Sequence, residues 1–188
     1  MGSYYKQQLN DWKSTLEVKA ETVIDIGGAQ DPIKGKTKSW EVERYYIVDL
    51  EVPHVLTQAP DFVQDMNEPI SFNLKGDVIF CLGVSDYIIN PNIFMENIKS
   101  MMHNTSIAWV EFPFFYATHN PIDDEGCRYS EGCIKRLAKQ AGLEIVDIVR
   151  KMERSGGLVR WFQNEGQRMA REYQYHGVTG FIVKFRRI

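Results

Sequence analysis

The hydrophobic positions of this chain fall into short runs separated by polar turns, with helical spacing in between. Tyr5, Leu9, Trp12 and Leu16 share one stripe of a helix expected over Tyr4 to Lys19, with Lys6, Gln7, Asn10 and Lys13 on the opposite side. A first strand ends in Val23-Ile24-Asp25-Ile26, and a second is expected over Tyr45–Leu50. Shorter runs follow at Asp61–Met66 and Gly76–Gly83. Asn90-Pro91 then opens a helix, with Asn as N-cap, proline at the first helical position, and Phe94, Ile98 and Met101 or Met102 inward. Ser106–Phe112 reads as a fifth strand, leading into Pro113-Phe-Phe-Tyr116. A helix from Ser130 carries Ile134, Leu137, Ala138 and Ala141 inward and stops at Gly142. Leu143–Val149 is a sixth strand, a last helix is expected after Gly156-Gly157, and Val178–Arg186 closes the chain. Its mixed outer face (Ile182, Lys184, Arg186) suits an antiparallel strand near an edge.

Alternation of strands and helices predicts one mostly parallel sheet with helices on its faces. The turn at Gly27-Gly28 follows a strand apolar enough to be buried on both sides, and in such sheets ligands bind beyond the carboxyl ends of the strands. Asp49 closes the second strand about 20 residues later, the spacing at which nucleotide-binding α/β folds place a carboxylate for ribose hydroxyls. The other reading of Asp49 is a helix cap or surface turn. The stretch Gln30–Glu43 is polar and contains Pro32 and Gly35, so any helix there is short or broken.

Length and composition narrow these expectations. A chain of 188 residues, 44% apolar and 25% charged, fits a single soluble domain over residues 1–188, with residues 1–20 packed on its core as a helix. The net charge of -3 argues against a nucleic-acid partner. No apolar run has the length of a membrane span, and the first residues lack a signal peptide's apolar region, so a cytoplasmic location is expected. Cys81, Cys127 and Cys133 form no Cys-x-x-Cys pair, which predicts neither a disulfide framework nor a metal site.

Taken together, these segments resemble the class I S-adenosylmethionine-dependent methyltransferases, in particular their small type-11-like members. Val23-Ile-Asp-Ile-Gly-Gly28 resembles the glycine-rich first motif, Ile47-Val-Asp49-Leu50 the second strand with its ribose-binding acid, and Asp65-Met66 the pair flanking the adenine. Asp77–Val84 with Asn90–Phe94 resembles the fourth strand and its following helix. His119-Asn-Pro121-Ile-Asp123, then Arg128-Tyr129-Ser130 opening a helix, resembles a series found after the fifth strand of this subgroup. Three segments depart from the pattern. Ala29 and Asp31 stand where later glycines of the first motif occur, Met102–Thr105 replaces a Lys-Pro-Gly-Gly turn, and Asp86-Tyr87 stands near a usual Glu-His pair.

The resemblance implies a Rossmann-like three-layer sandwich whose seven-stranded sheet is parallel except for one strand. It implies S-adenosylmethionine as cofactor, held by Asp25, Gly27, Gly28, Asp49, Leu50, Asp65, Met66 and Leu82. The acceptor would be a small molecule or glycan, methylated at oxygen. His119 is the candidate base, because imidazole titrates near neutral pH, with Asp123 orienting it. Tyr116, Arg128 and Tyr129 are candidate acceptor contacts. His119, Asp123 and Arg128 equally read as a charged knot stabilising a long loop. A non-catalytic relative that keeps the fold as a binding module is the competing function. A nicotinamide enzyme fits less well, since Gly27-Gly-Ala-Gln-Asp31 does not supply Gly-x-Gly-x-x-Gly.

Overall fold

Val23–Ile26 is buried because it is the inner end of an interior strand of the sheet. That strand, β1 (Glu17–Ile26), pairs in parallel with β2 (Ser39–Asp49) on one side and β4 (Gly76–Cys81) on the other. The structure is a computed structural model that describes residues 4–52, 58–114, 126–152 and 178–188, with side chains from residue 6 onward. β3 (Phe62–Val63) lies outside β2, and β5 (Met102–Pro113) pairs in parallel with β4. β7 (Val178–Arg187) inserts antiparallel between β5 and β6 (Leu143–Met152). The strand order β3-β2-β1-β4-β5-β7-β6 therefore reverses direction between β1 and β4. Such a switch point opens a crevice at the carboxyl ends of the strands.

Side-chain alternation sends Ile24, Ile26, Ile79 and Phe112 to one face, under α2 (Pro91–Ser100) and α3 (Glu131–Ala141). Val23, Phe80 and Trp109 go to the other, under α1 (Tyr4–Lys13), where Trp12 meets Trp109 edge-to-face at 5.0 Å. α3 follows its sequence signals: the Ser130 hydroxyl accepts from the Cys133 amide at 3.2 Å, Ile134, Leu137, Ala138 and Ala141 are buried, and Gly142 ends the helix at φ 67°. Asn90 precedes α2 as expected, yet its side chain makes no cap bond.

Several boundaries differ from the periodicity. The first helix stops at Lys13, where the Ser14 and Thr15 hydroxyls donate to the carbonyls of Asp11 and Trp12, both at 2.7 Å. Residues 17–20 are instead strand, alternating exposed and covered. β2 begins at Ser39 rather than Tyr45, because its outer half, with exposed Glu41 and Glu43, has a period-2 pattern masked by its polarity. Lys38–Glu17 at 2.6 Å and Lys19–Glu41 at 2.8 Å join the two outer halves. β5 gains four residues at its start and β6 three at its end. The helix expected after Gly156-Gly157 lies outside the described residues. Among those described, no helix is long and apolar enough to cross a membrane.

On the α1 face, the ammonium of Lys151 in β6 pairs with the carboxylate of Glu111 in β5, reaching across β7. Both are buried, and burial holds the Lys151 pKa well below its ordinary range. Removing one partner of such a pair strands the other charge. Lys151→Met is therefore expected to lose about 3–5 kcal/mol in urea unfolding, while Glu111→Leu with Lys151→Met regains most of that loss. A single-variant loss under about 1 kcal/mol would show that the pair is solvated.

Candidate functional site

The backbone leaving β1 must turn sharply without losing its place beside β2. Gly27 does this at φ +80°, a conformation costly for other residues, while its amide donates to the Val48 carbonyl at 2.8 Å. A Cβ on Gly27 would sit 2.3 Å from a Val84 methyl carbon, so the segment after β4 closes directly against the turn. A Cβ on Gly28 would lie 2.5 Å from Asp25 Oδ2. The glycine pair is thus required by contacts on both sides.

Residues 27–38 then cross to β2 through turns alone. Parallel strands are usually joined through a helix. Here the connection is anchored by side chains. Asp25 Oδ2 accepts from the Ile33 amide at 2.8 Å and from the Tyr45 hydroxyl. Asp31 pairs with Lys13 of α1 at 3.0 Å and with Lys36. Burial raises the Asp25 pKa to about 6, against the opposing pull of these donors and of the two lysines.

A cavity of about 540 Å³ opens at the switch point. Its walls come from the ends of four strands: Ile26 and Gly27 from β1, Val48–Leu50 from β2, Gln64–Asn67 after β3, and Gly83, Val84 and Tyr87–Ile89 after β4. Gln30 and Val52 complete it. Asp49 stands in its wall, with Oδ2 accepting from the Ala29 amide at 3.0 Å and Oδ1 from the Leu50 amide at 2.8 Å. Burial raises the Asp49 pKa, and those two amides counter it. Leu50, Val52 and Ile89 are exposed apolar side chains at the rim, the last two 83% and 70% accessible, available to cover a flat ligand.

Of the residues singled out by sequence, Gly27, Asp49, Leu50, Asp65 and Met66 line this cavity together. Asp25 does not: its carboxylate lies beneath the turn, holding Ile33 and Tyr45. Gly28 belongs to the turn rather than the wall, and Leu82 packs with Val23 and Phe80 on the α1 face, one residue out of phase with the cavity. Tyr129 is core, stacked edge-to-face on Phe112 at 5.1 Å with its amide on the Pro113 carbonyl, and neither it nor half-buried Arg128 lines the cavity. Tyr116, His119 and Asp123 lie outside the described residues. Sequence reasoning missed Gln30, Asn67, Val84 and Tyr87. Asn67 was detectable as the polar residue directly after Asp65-Met66, whereas Gln30 and Val84 reach the site only through the fold. Among the described residues, no cluster of His, Cys, Asp and Glu could hold a metal ion.

No protein-family model matches the chain, and no curated protein matches it by sequence. Solved structures do match in shape. One is a chain of the complex between the Haloferax volcanii Trm112 methyltransferase activator and a methyltransferase (TM-score 0.65, 12% identity, 97% of this chain and 89% of that one). Another is mitomycin 7-O-methyltransferase MmcR (0.60, 15%, 100% and 55%), of which this chain spans just over half. A third is the small RNA methyltransferase HEN1 (0.61, 15%, 97% and 25%). The protein therefore has the fold of the class I S-adenosylmethionine-dependent methyltransferases. Because these neighbours include enzymes named for a small molecule and for RNA, the fold alone does not select an acceptor.

The raised Asp25 pKa has a defined sign in stability. Between about pH 4 and pH 6 the folded state holds a proton on Asp25 that the unfolded chain has released, so the contribution of this group to stability is greatest below pH 4 and falls as pH rises to 6. The expected loss is on the order of 3 kcal/mol. Asp25→Asn keeps a carbonyl acceptor and cannot titrate, so the wild-type-minus-variant difference in urea stability should shift by that amount from pH 4 to 6.5. A difference independent of pH would show that the carboxyl is solvated.

Proposed function

We propose that this protein is an S-adenosylmethionine-dependent methyltransferase acting at oxygen on a small-molecule or glycan-like acceptor. The observation that carries the reading is Asp49, fixed by the Ala29 and Leu50 amides in the wall of a cavity that it shares with the adjoining Gly27 turn. A carboxylate there can accept from two vicinal hydroxyls. Asp65 supplies an acceptor for the amino group of adenine, and Met66, Tyr87 and Ile88 give its ring apolar surface. Gly27, Gln30 and Val84 border the space left for the amino-acid part of the cofactor. A cavity of about 540 Å³ is within the range that encloses ligands of this size.

The bound cofactor would supply an electrophilic methyl group on a positively charged sulfur. The chain's tasks are to hold that donor, align the acceptor oxygen and take its proton. We assign the proton to His119, oriented by Asp123, on their sequence position alone. A non-catalytic binding module is the second reading, favoured by the helix-free connection after Gly27, which removes the helix N-terminus that would face an anionic group.

Calorimetry with S-adenosylmethionine, S-adenosylhomocysteine and NAD separates these readings: the first two should bind and NAD should not. Asp49→Ala should weaken both by about 1.5–3 kcal/mol, the scale of hydrogen bonds to a charged group. Unchanged affinity removes Asp49 from the site. Binding without methyl transfer across sugars, sugar nucleotides and small hydroxylated metabolites would favour the binding module. Where transfer occurs, His119→Ala should cut turnover by about 10²–10⁴ with cofactor affinity kept. A folded variant with full activity would exclude His119 as base.

A further inference from the structure

Two asparagine amides staple the segment after β3 to the rest of the molecule, and they do so differently. Asn97, buried in α2, donates to the carbonyls of Met66 at 3.2 Å and Glu68 at 2.8 Å, and accepts from the Ile70 amide at 3.2 Å. It lies outside the cavity. Asn67 lies in the cavity wall and bridges two loops that face each other across it. Its Oδ1 accepts from the amides of Ile89 at 2.8 Å and Asn90 at 3.2 Å, while Nδ2 donates to the Tyr87 carbonyl at 3.3 Å. The same Nδ2 donates to Asp65 Oδ1 at 3.1 Å, joined there by the Asn67 backbone amide at 2.8 Å. Both bonds fall on Oδ1, so Oδ2 of Asp65, a residue of the cavity wall, takes no part in the clasp.

We propose that Asn67 is a positioning residue that selects the base of the bound nucleoside: one amide group sets the gap between the Asp65 and Ile89 walls and aims the Asp65 carboxylate at an amino-bearing ring. The proposal rests on the reading of this cavity as an adenosine pocket. A carboxylate held with one oxygen presented accepts from a 6-amino group and opposes a 6-carbonyl, so the site prefers an adenosyl over an inosyl ligand. An unaimed carboxylate would rotate or hydrate and lose that preference.

Three variants separate aiming, clasping and simple stability. Asn67→Asp keeps an acceptor for the Ile89 and Asn90 amides and the backbone donor to Asp65, but loses the side-chain donor. Asn67→Ala removes both functions. Asn97→Ala loosens the same segment from outside the cavity. The measurements are affinities for S-adenosylhomocysteine and its inosyl analogue, and amide exchange at Ile89 and Asn90 followed by NMR. Asn67→Asp should lower the adenosyl-to-inosyl affinity ratio by about tenfold, the value of a charge-assisted hydrogen bond, and leave exchange slow. Asn67→Ala should lower the ratio similarly and speed exchange at both amides. Asn97→Ala should lower the melting temperature and leave the ratio intact.

An unchanged ratio in Asn67→Asp, or unchanged exchange in Asn67→Ala, overturns the proposal. So does a ratio that falls equally in Asn97→Ala, since loss of stability would then explain it. If the wild type binds neither thioether, the adenosine reading fails and takes base selection with it. The exchange measurement then decides by itself whether Asn67 clasps the two loops.

Discussion

The site depends on how the chain leaves β1. A parallel neighbour has to be reached through a crossover, and in most sheets a helix supplies both the length and the internal hydrogen bonds. Here residues 27–38 cross with turns only, so their backbone needs partners from elsewhere. Asp25 provides them from below, by holding Ile33 and Tyr45. Gly27 provides the reversal, wedged between the Val48 carbonyl and the Val84 side chain. The carboxylate under the turn and the glycine above it are two halves of one device, and the cavity is the space that this device leaves open.

Electrostatic cost is distributed unevenly over the molecule. Surface pairs such as Lys19–Glu41 join exposed groups and contribute little. Asp25, Glu111 and Lys151 are buried, so each adds a desolvation penalty that its partners must offset. All three lie near the carboxyl ends of their strands, on the α1 side of the sheet and outside the cavity lining. The α2–α3 face, built from Ile24, Phe94, Ile98, Phe112 and Phe185, carries the larger apolar cluster. One face thus supplies the main core, and the buried charges lie on the other.

The cavity walls are also held unequally. β1, β2 and β4 bring Gly27, Asp49 and Val84 into place through ladder hydrogen bonds that fix register. The β3 side has only a two-residue strand, so its wall is secured by side chains: Gln64 to the carbonyls of Asp65 and Glu68, Asn97 from α2, and Asn67 across the mouth. Amide side chains suit this work because each carries donors and an acceptor on one rigid plane.

The sequence by itself determined the order of the strands' types, the parallel sheet with an antiparallel β7, both caps of α3, and the pairing of Gly27 with Asp49. These rest on local rules: apolar period, the left-handed turn that glycine permits, and fixed spacing along a βαβ-like unit. It missed the outer halves of β1 and β2, where polar residues on an exposed sheet carry the same alternation as a loop would tolerate. It also gave Asp25 and Leu82 to the cofactor, since composition and position cannot tell which way a strand's side chains point at its end. Only the tertiary structure decided that. Once β1 and β4 pair in register, alternation sends Ile26 into the cavity and Asp25 beneath the turn, and sends Leu82 to the α1 face. Asn67 and Tyr87 meet across the cavity for a similar reason: their contact is set by loops from two strands that are not neighbours in the sheet, a distance no local pattern encodes.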